Sequence, residues 1–92
     1  MDKVKKKVVV KNKLGLHARP AALFVQTANK FTSRIVVTRG NERVNGKSIM
    51  GILTLGAEKG CLIIIEAQGP DAQEAILELE RLVTSNESDV TT

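Results

Sequence analysis

Between Arg34 and Gly56 the chain reads RIVVTRGNERVNGKSIMGILTLG, and this stretch decides the fold. Arg34 to Thr38 is rich in β-branched side chains, which suit a pleated, half-buried surface, and reads as a strand. Gly40-Asn41 is a two-residue hairpin signal, and Glu42 to Val44 is the short return strand. Asn45-Gly46 turns the chain again. Ser48 is then placed to cap a short helix running from Ile49 to about Leu55, which Gly56 ends. A hairpin that passes at once into a short capped helix is the middle of a mixed α and β domain, and the flanks determine which one.

Upstream, valines at 4, 8 and 10 share one parity and lysines at 5 and 7 the other. Val4 to Val10 therefore reads as a strand near a sheet edge, with Lys6 interrupting its inward face. After a loop from Asn12 to Gly15, Pro20 suits the first turn of a helix, where its missing N–H would have no partner anyway. Ala21, Phe24, Val25 and Ala28 recur at helical spacing, and the helix ends near Asn29. Downstream, Lys59-Gly60 turns into Cys61–Ala67, almost wholly apolar and so a central strand. Pro70-Asp71 opens a last helix. Asp71 and Glu74 are spaced as a capping box, and Ala72, Ala75, Ile76, Leu79, Leu82 and Val83 form its apolar face. The order is β-α-β-β-α-β-α. One sheet with the helices on one face, an α+β two-layer arrangement, buries the apolar sides of both.

A chain of 92 residues holds one domain and one modest core. The expected domain is the whole of 1–92, with an ordered core from about 2 to 85 and a polar tail at 86–92. The formal net charge is +4, but aromatic residues make up 2% and there is no Trp or Tyr, so stacking platforms for single-stranded nucleic acid are nearly excluded. The basic surface suits acidic protein partners instead, with no direct nucleic-acid contact expected. The single cysteine, Cys61, cannot form an internal disulfide and lacks the companions of a zinc site. It reads as a small buried hydrophobe. No apolar run approaches the roughly 20 residues that span a bilayer, and the charged N-terminus is unlike a secretion signal. The expectation is a cytoplasmic protein with no membrane insertion.

The only histidine lies in GLHARPAAL, Gly15 to Leu23. If the first helix begins just after it, His17 sits where the backbone N–H groups of Ala18 and Arg19 have no helical partner. Such an end attracts anions, phosphate above all, and favours the neutral, nucleophilic imidazole over the cation. Arg19 adds a permanently charged, forked donor matched to phosphoryl oxygens. Gly15 permits a positive φ and a close approach of the backbone. The set suits a histidine that carries a phosphoryl group and passes it on. No second histidine or glycine-rich nucleotide loop accompanies it, and no metal or cofactor is expected. The spacing alone leaves a plainer reading open, in which His17 only caps a helix and Arg19 is a surface charge.

GLHARPA at 15–21 and KSIMGILTLG at 47–56 together resemble the HPr family, the phosphocarriers of the bacterial phosphoenolpyruvate-dependent sugar phosphotransferase system. The resemblance runs from about Val4 to Val83. It implies an open-faced β-sandwich, βαββαβα, with a four-stranded antiparallel sheet of order 1-4-2-3 and three helices on one face. It implies a carrier, not an enzyme, in which enzyme I passes a phosphoryl group to Nδ1 of His17, Arg19 steadies it, and EIIA domains of sugar permeases receive it. It further implies that Ser48 is a regulatory phosphorylation site. A bifunctional HPr kinase/phosphorylase would act there, and the serine-phosphorylated form would serve a catabolite-control transcription factor. A sister branch keeps the serine but lacks the histidine, and His17 separates this chain from it. Taken alone, Ser48 is equally an ordinary cap. Ile49, Met50 and Leu53 are read as a partner surface, where an adaptable Met can fit several partners. Gly46 stands where the family has a larger residue, and is expected to loosen the approach to Ser48.

Strand parity and that sheet order carry one more expectation. Val8, Val10, Ile35, Val37, Ile63 and Ile65 should point toward the helices. Val9, Val36, Leu62 and Ile64 should then form one apolar patch on the open face. Either Lys7, Lys11, Arg34 and Glu66 drape their stems across it and the protein is a monomer, or the patch supports a weak dimer.

Overall fold

The computed structural model describes residues 2–13 and 15–85, so the tail at 86–92 lies outside the described residues. The elements are β1 (Lys3–Val9), α1 (Ala18–Ala28), β2 (Arg34–Arg39), β3 (Glu42–Asn45), α2 (Ile49–Leu55), β4 (Leu62–Gln68) and α3 (Ala72–Thr84). All neighbouring strands are antiparallel and the order is β1-β4-β2-β3, so the near-continuous apolar run of β4 lies inside the sheet. The one-residue-later start of β4 has a simple cause. Cys61 still belongs to the turn, where its N–H bonds the Glu58 carbonyl while its own carbonyl accepts from Val10.

The alternation holds across the sheet. Val8, Val10, Ile35, Val37, Ile63 and Ile65 are all buried against the helices. On β1, Lys6 has the inward parity, but at the edge strand its ammonium escapes and reaches Glu80 of α3 at 3.2 Å. α3 lies over β1 and β4, α2 over β2 and β3, and α1 packs on both other helices. The α1 stripe of Ala21, Phe24 and Ala28 is completely buried. Removing the Phe24 ring would cost about 3–5 kcal/mol, as for any large core-to-alanine change.

Three expectations are corrected. Asp71 is the N-cap of α3 but makes no side-chain cap bond, so there is no capping box with Glu74. Its carboxylate turns instead to the loop before β2 and accepts from the amides of Thr32 and Ser33, both at 2.9 Å, and from the Ser33 hydroxyl. Two amides and a hydroxyl converging on one carboxylate outweigh a single cap bond. Gly46 does not loosen its surroundings. It is buried, its N–H bonds the Ile35 carbonyl at 2.8 Å, and a Cβ there would lie 2.5 Å from the Ile35 side chain. The chain comes so close to β2 that only glycine fits. Finally, the open face is less apolar than expected. Val9 and Leu62 are exposed cross-strand neighbours, but Val36 and Ile64 are half-buried and do not face each other. Val36 is opposite Glu66 and Ile64 opposite Thr38. Of the residues expected across this face, Lys7, Arg34 and Glu66 do share it, and Lys3 and Arg43 join them by converging on Glu66.

Candidate functional site

α1 begins at Ala18 with His17 as its N-cap, in extended backbone conformation. The first helical hydrogen bond runs from the Ala21 N–H to the His17 carbonyl at 2.9 Å. Pro20 has no N–H to offer, so the unpaired donors of the first turn reduce to the amides of Ala18 and Arg19. The His17 side chain makes no cap bond to the helix and stands exposed. It occupies the cap position without acting as the cap. Arg19 is also exposed, and its guanidinium has no ion pair among the described residues.

The backbone leading into His17 is held tightly. Gly15 adopts φ +67°, and a Cβ on it would lie 2.7 Å from the Ala57 carbonyl oxygen and 2.8 Å from the Glu58 Cα. The next amide, of buried Leu16, bonds that same Ala57 carbonyl at 2.8 Å. The Gly15 amide bonds the Asn12 carbonyl, and the Asn12 side chain, itself buried, donates to the Ser85 carbonyl beyond α3. This tie between the histidine loop and the end of the last helix went unnoticed in the sequence, where Asn12 is one polar residue of a loop. An exposed imidazole thus stands on an immobilised backbone beside two unpaired N–H donors and a free guanidinium. Such a group can accept a phosphoryl group and balance its charge.

Ser48 caps α2 in fact as well as in position, its hydroxyl accepting from the Gly51 amide at 3.1 Å. At the other end Gly56 takes the left-handed conformation, and Arg39 donates to the Leu55 and Gly56 carbonyls at 3.1 and 2.9 Å, a cation on the negative end of the helix dipole. The structure does not bring Ser48 and His17 together. The segment before Ser48 is tied to the far end of α1 by the Asn29 side chain, which donates to the Lys47 carbonyl at 3.2 Å. The two residues are therefore separated by about the length of α1, roughly 16 Å. Ile49, Met50 and Leu53 are exposed, and so is Leu23 on α1, the helix packed against α2. Leu23 stands outside the buried stripe of Ala21, Phe24 and Ala28. Its signal was an apolar residue lying off that stripe. No group of three His, Cys, Asp or Glu among the described residues is placed to hold a metal.

The model of the family described as "PTS HPr component phosphorylation site" matches residues 4–85. This chain belongs to the HPr family. It is 48% identical over 80 residues to the phosphocarrier protein HPr of Neisseria meningitidis, covering 87% of this chain and 90% of that one. It is 49% identical over 80 residues to the HPr-like protein Crh of Bacillus subtilis, covering 87% and 94%. The crystal structure of the phosphocarrier protein HPr from Bacillus anthracis superimposes with a TM-score of 0.88 at 47% identity, covering 90% of this chain and 99% of that one. The open-faced sandwich and the 1-4-2-3 sheet are those of HPr structures, and HPr membership makes the chain a phosphocarrier of the phosphotransferase system.

Proposed function

We propose that His17 is the residue that carries the phosphoryl group. Phosphorylated enzyme I docks on the α1–α2 side, and Nδ1 of His17 attacks phosphorus in line. The N–P bond to His17 forms as the bond between phosphorus and enzyme I breaks, so the group moves from one protein to the other with no water consumed. The equatorial oxygens meet the amides of Ala18 and Arg19 and the guanidinium of Arg19. Donation to an EIIA domain is the same step with the chain as donor. The observation that carries this reading is an exposed N-cap histidine that makes no cap bond, beside the two unpaired amides of its helix. The protein acts as a carrier and not as an enzyme, with Ile49, Met50 and Leu53 forming the surface that partners share. No helix among the described residues is long and apolar enough to cross a membrane, and the proposed setting is cytoplasmic.

The test is incubation with phosphoenolpyruvate and enzyme I, followed by acid treatment of the product. Acid-labile label on the parent and none on His17→Ala is expected. Undiminished labile label on the variant would remove His17 from this role.

Ser48 supports a second, regulatory reading for HPr kinase/phosphorylase and a catabolite-control transcription factor. Its hydroxyl is half-buried at the start of a short helix, next to exposed Ile49 and Met50. A phosphate there meets the positive end of the helix dipole without disturbing the core.

A further inference from the structure

The helix side of the molecule accounts for His17 and Ser48, but not for the charge on the opposite side. Pairing places Lys3, Lys5 and Lys7 of β1, Arg34 of β2 and Arg43 of β3 on the outer face of the sheet, with Glu66 the one acid among them. All five cations are exposed. Among the described residues, five of the 14 Lys and Arg stand here beside a single acid, Glu66, so this face carries an excess of four positive charges. Glu66 is 7% exposed, and its carboxylate lies 3.5 Å from Lys3 and 3.6 Å from Arg43. It therefore pins two long side chains across the sheet and presents little negative charge of its own. Between Arg34 and Arg43 the face has a shallow recess of about 150 Å³, floored by Val36 and Glu66. At another end Val9 and Leu62 expose 41% and 52% of their surface side by side.

We propose that this open sheet face docks reversibly on an anionic lipid surface. The molecule is a slab of 34 × 30 × 21 Å, so the sheet offers a broad side to a plane. The cations are spread over three strands, and three of the five are lysines with no aromatic among them. That composition is unlike the core of a protein interface, which is poor in Lys and rich in aromatic residues. It suits diffuse attraction to headgroup phosphates, with the guanidiniums of Arg34 and Arg43 able to grip one between them. A second copy is disfavoured, because pairing the face with itself sets like charge against like. Single-stranded nucleic acid would find no stacking platform. Val9 and Leu62 add a small apolar contact at the rim. The helix layer, with His17 and Ser48, points away from the surface and stays open to partners. The use of such docking rests on the carrier reading: it would gather the carrier at the membrane where sugar permeases receive its phosphoryl group.

The full chain is sedimented with vesicles of phosphatidylcholine alone and of phosphatidylcholine with roughly one-third phosphatidylglycerol, at about 0.05 M and about 0.5 M salt. Binding to the anionic vesicles alone, lost at high salt, is expected. Lys5→Gln/Lys7→Gln should weaken it roughly thirtyfold, since each basic side chain near such a surface contributes about fivefold. Lys30→Gln/Lys59→Gln removes the same charge elsewhere and should change it by less than about threefold. Equal losses in the two double variants would overturn the proposal, as attraction to net charge alone. So would failure to sediment with anionic vesicles, including the case where DNA or an acidic protein retains the chain under the same conditions, or a mass that doubles with concentration. Labelling of His17 in vesicle-free solution keeps the two readings apart. Loss of labelling would strike the carrier reading, and loss of sedimentation only the docking.

Discussion

Two helix N-termini in this molecule carry a cap residue that does not cap, and they do so for opposite reasons. At α3, Asp71 turns its carboxylate to Thr32 and Ser33 and binds the α1–β2 loop to the last helix. At α1, the His17 imidazole is exposed and makes no cap bond to its helix. The first group is consumed by structure: the Ser33 hydroxyl, then the Thr32 amide, hold the Asp71 carboxyl down to about 2 from an ordinary 3.8. The second is an exposed ionisable side chain at a charged helix end, on a backbone fixed by Gly15 and Leu16, without a hydrogen bond among the described residues. The contrast is between a group the fold uses and a group it positions, the one to which we assign the phosphoryl group.

The contrast can be broken most directly by exchanging losses. His17→Ala should abolish phosphoenolpyruvate-dependent labelling while changing stability by less than about 0.5 kcal/mol, as for an exposed side chain without partners. A cooperative melt close to the parent's, alongside absent label, is the expected pair of results. Arg19→Ala comes next. The Ala18 and Arg19 amides remain, so transfer should persist but slow roughly tenfold to a hundredfold, the range for removing one donor to a developing oxyanion. A rate equal to the parent's would leave the amides as the whole of the anion site.

Asp71→Ala should do the reverse, lowering the melting temperature at neutral pH and leaving transfer by the folded protein intact. Its pH signature follows from the sign of the shift. The folded carboxyl titrates lower than the unfolded one, so its contribution is complete above about 3.8 and is lost as pH falls from there through about 2. The difference in melting temperature between parent and variant should therefore shrink across that acid window. A constant difference would mean that the carboxylate's charge is not what holds the loop.

The same comparison explains what could be read from the sequence. Strand parity was legible because Val4, Val8 and Val10 share one parity against Lys5 and Lys7, and because Arg34 and Thr38 fix the outward parity around Ile35 and Val37. Ser48 and Gly56 were legible because a cap and a left-handed stop act within four residues of the helix they bound. His17 was legible for a related reason: Pro20 marks the helix start, and the unpaired amides follow from the start. What could not be read depends on distant pairs. Asp71 looked like half of a capping box because its true partners, Thr32 and Ser33, lie 39 and 38 residues away. Gly46 looked like a loosening because the Ile35 side chain that excludes a larger residue belongs to another strand. Glu66 looked like one charged residue in an apolar strand. Only the register shows Lys3 and Arg43 meeting over it.

Ser48 is the third helix start and the control for the other two, because here the cap residue does cap. Ser48→Ala should cost about 1 kcal/mol, the usual loss for a cap hydroxyl. Ser48→Asp should cost less than about 0.5 kcal/mol, since Asp caps as well as Ser and its charge suits the helix dipole. Its effect on function should nevertheless be the larger of the two. The added charge lies next to exposed Ile49 and Met50 and meets an acidic or phosphorylated partner there, so phosphorylation of His17 by enzyme I should slow. The path of that slowing can be separated. His17 lies roughly 16 Å away, beyond the Debye length of about 10 Å at 0.1 M salt, so the charge barely reaches the imidazole itself. The loss should appear in KM for enzyme I and leave kcat within about twofold. A fall in kcat at unchanged KM would instead place the coupling inside the carrier, through α1, and would join the two sites that the fold holds apart.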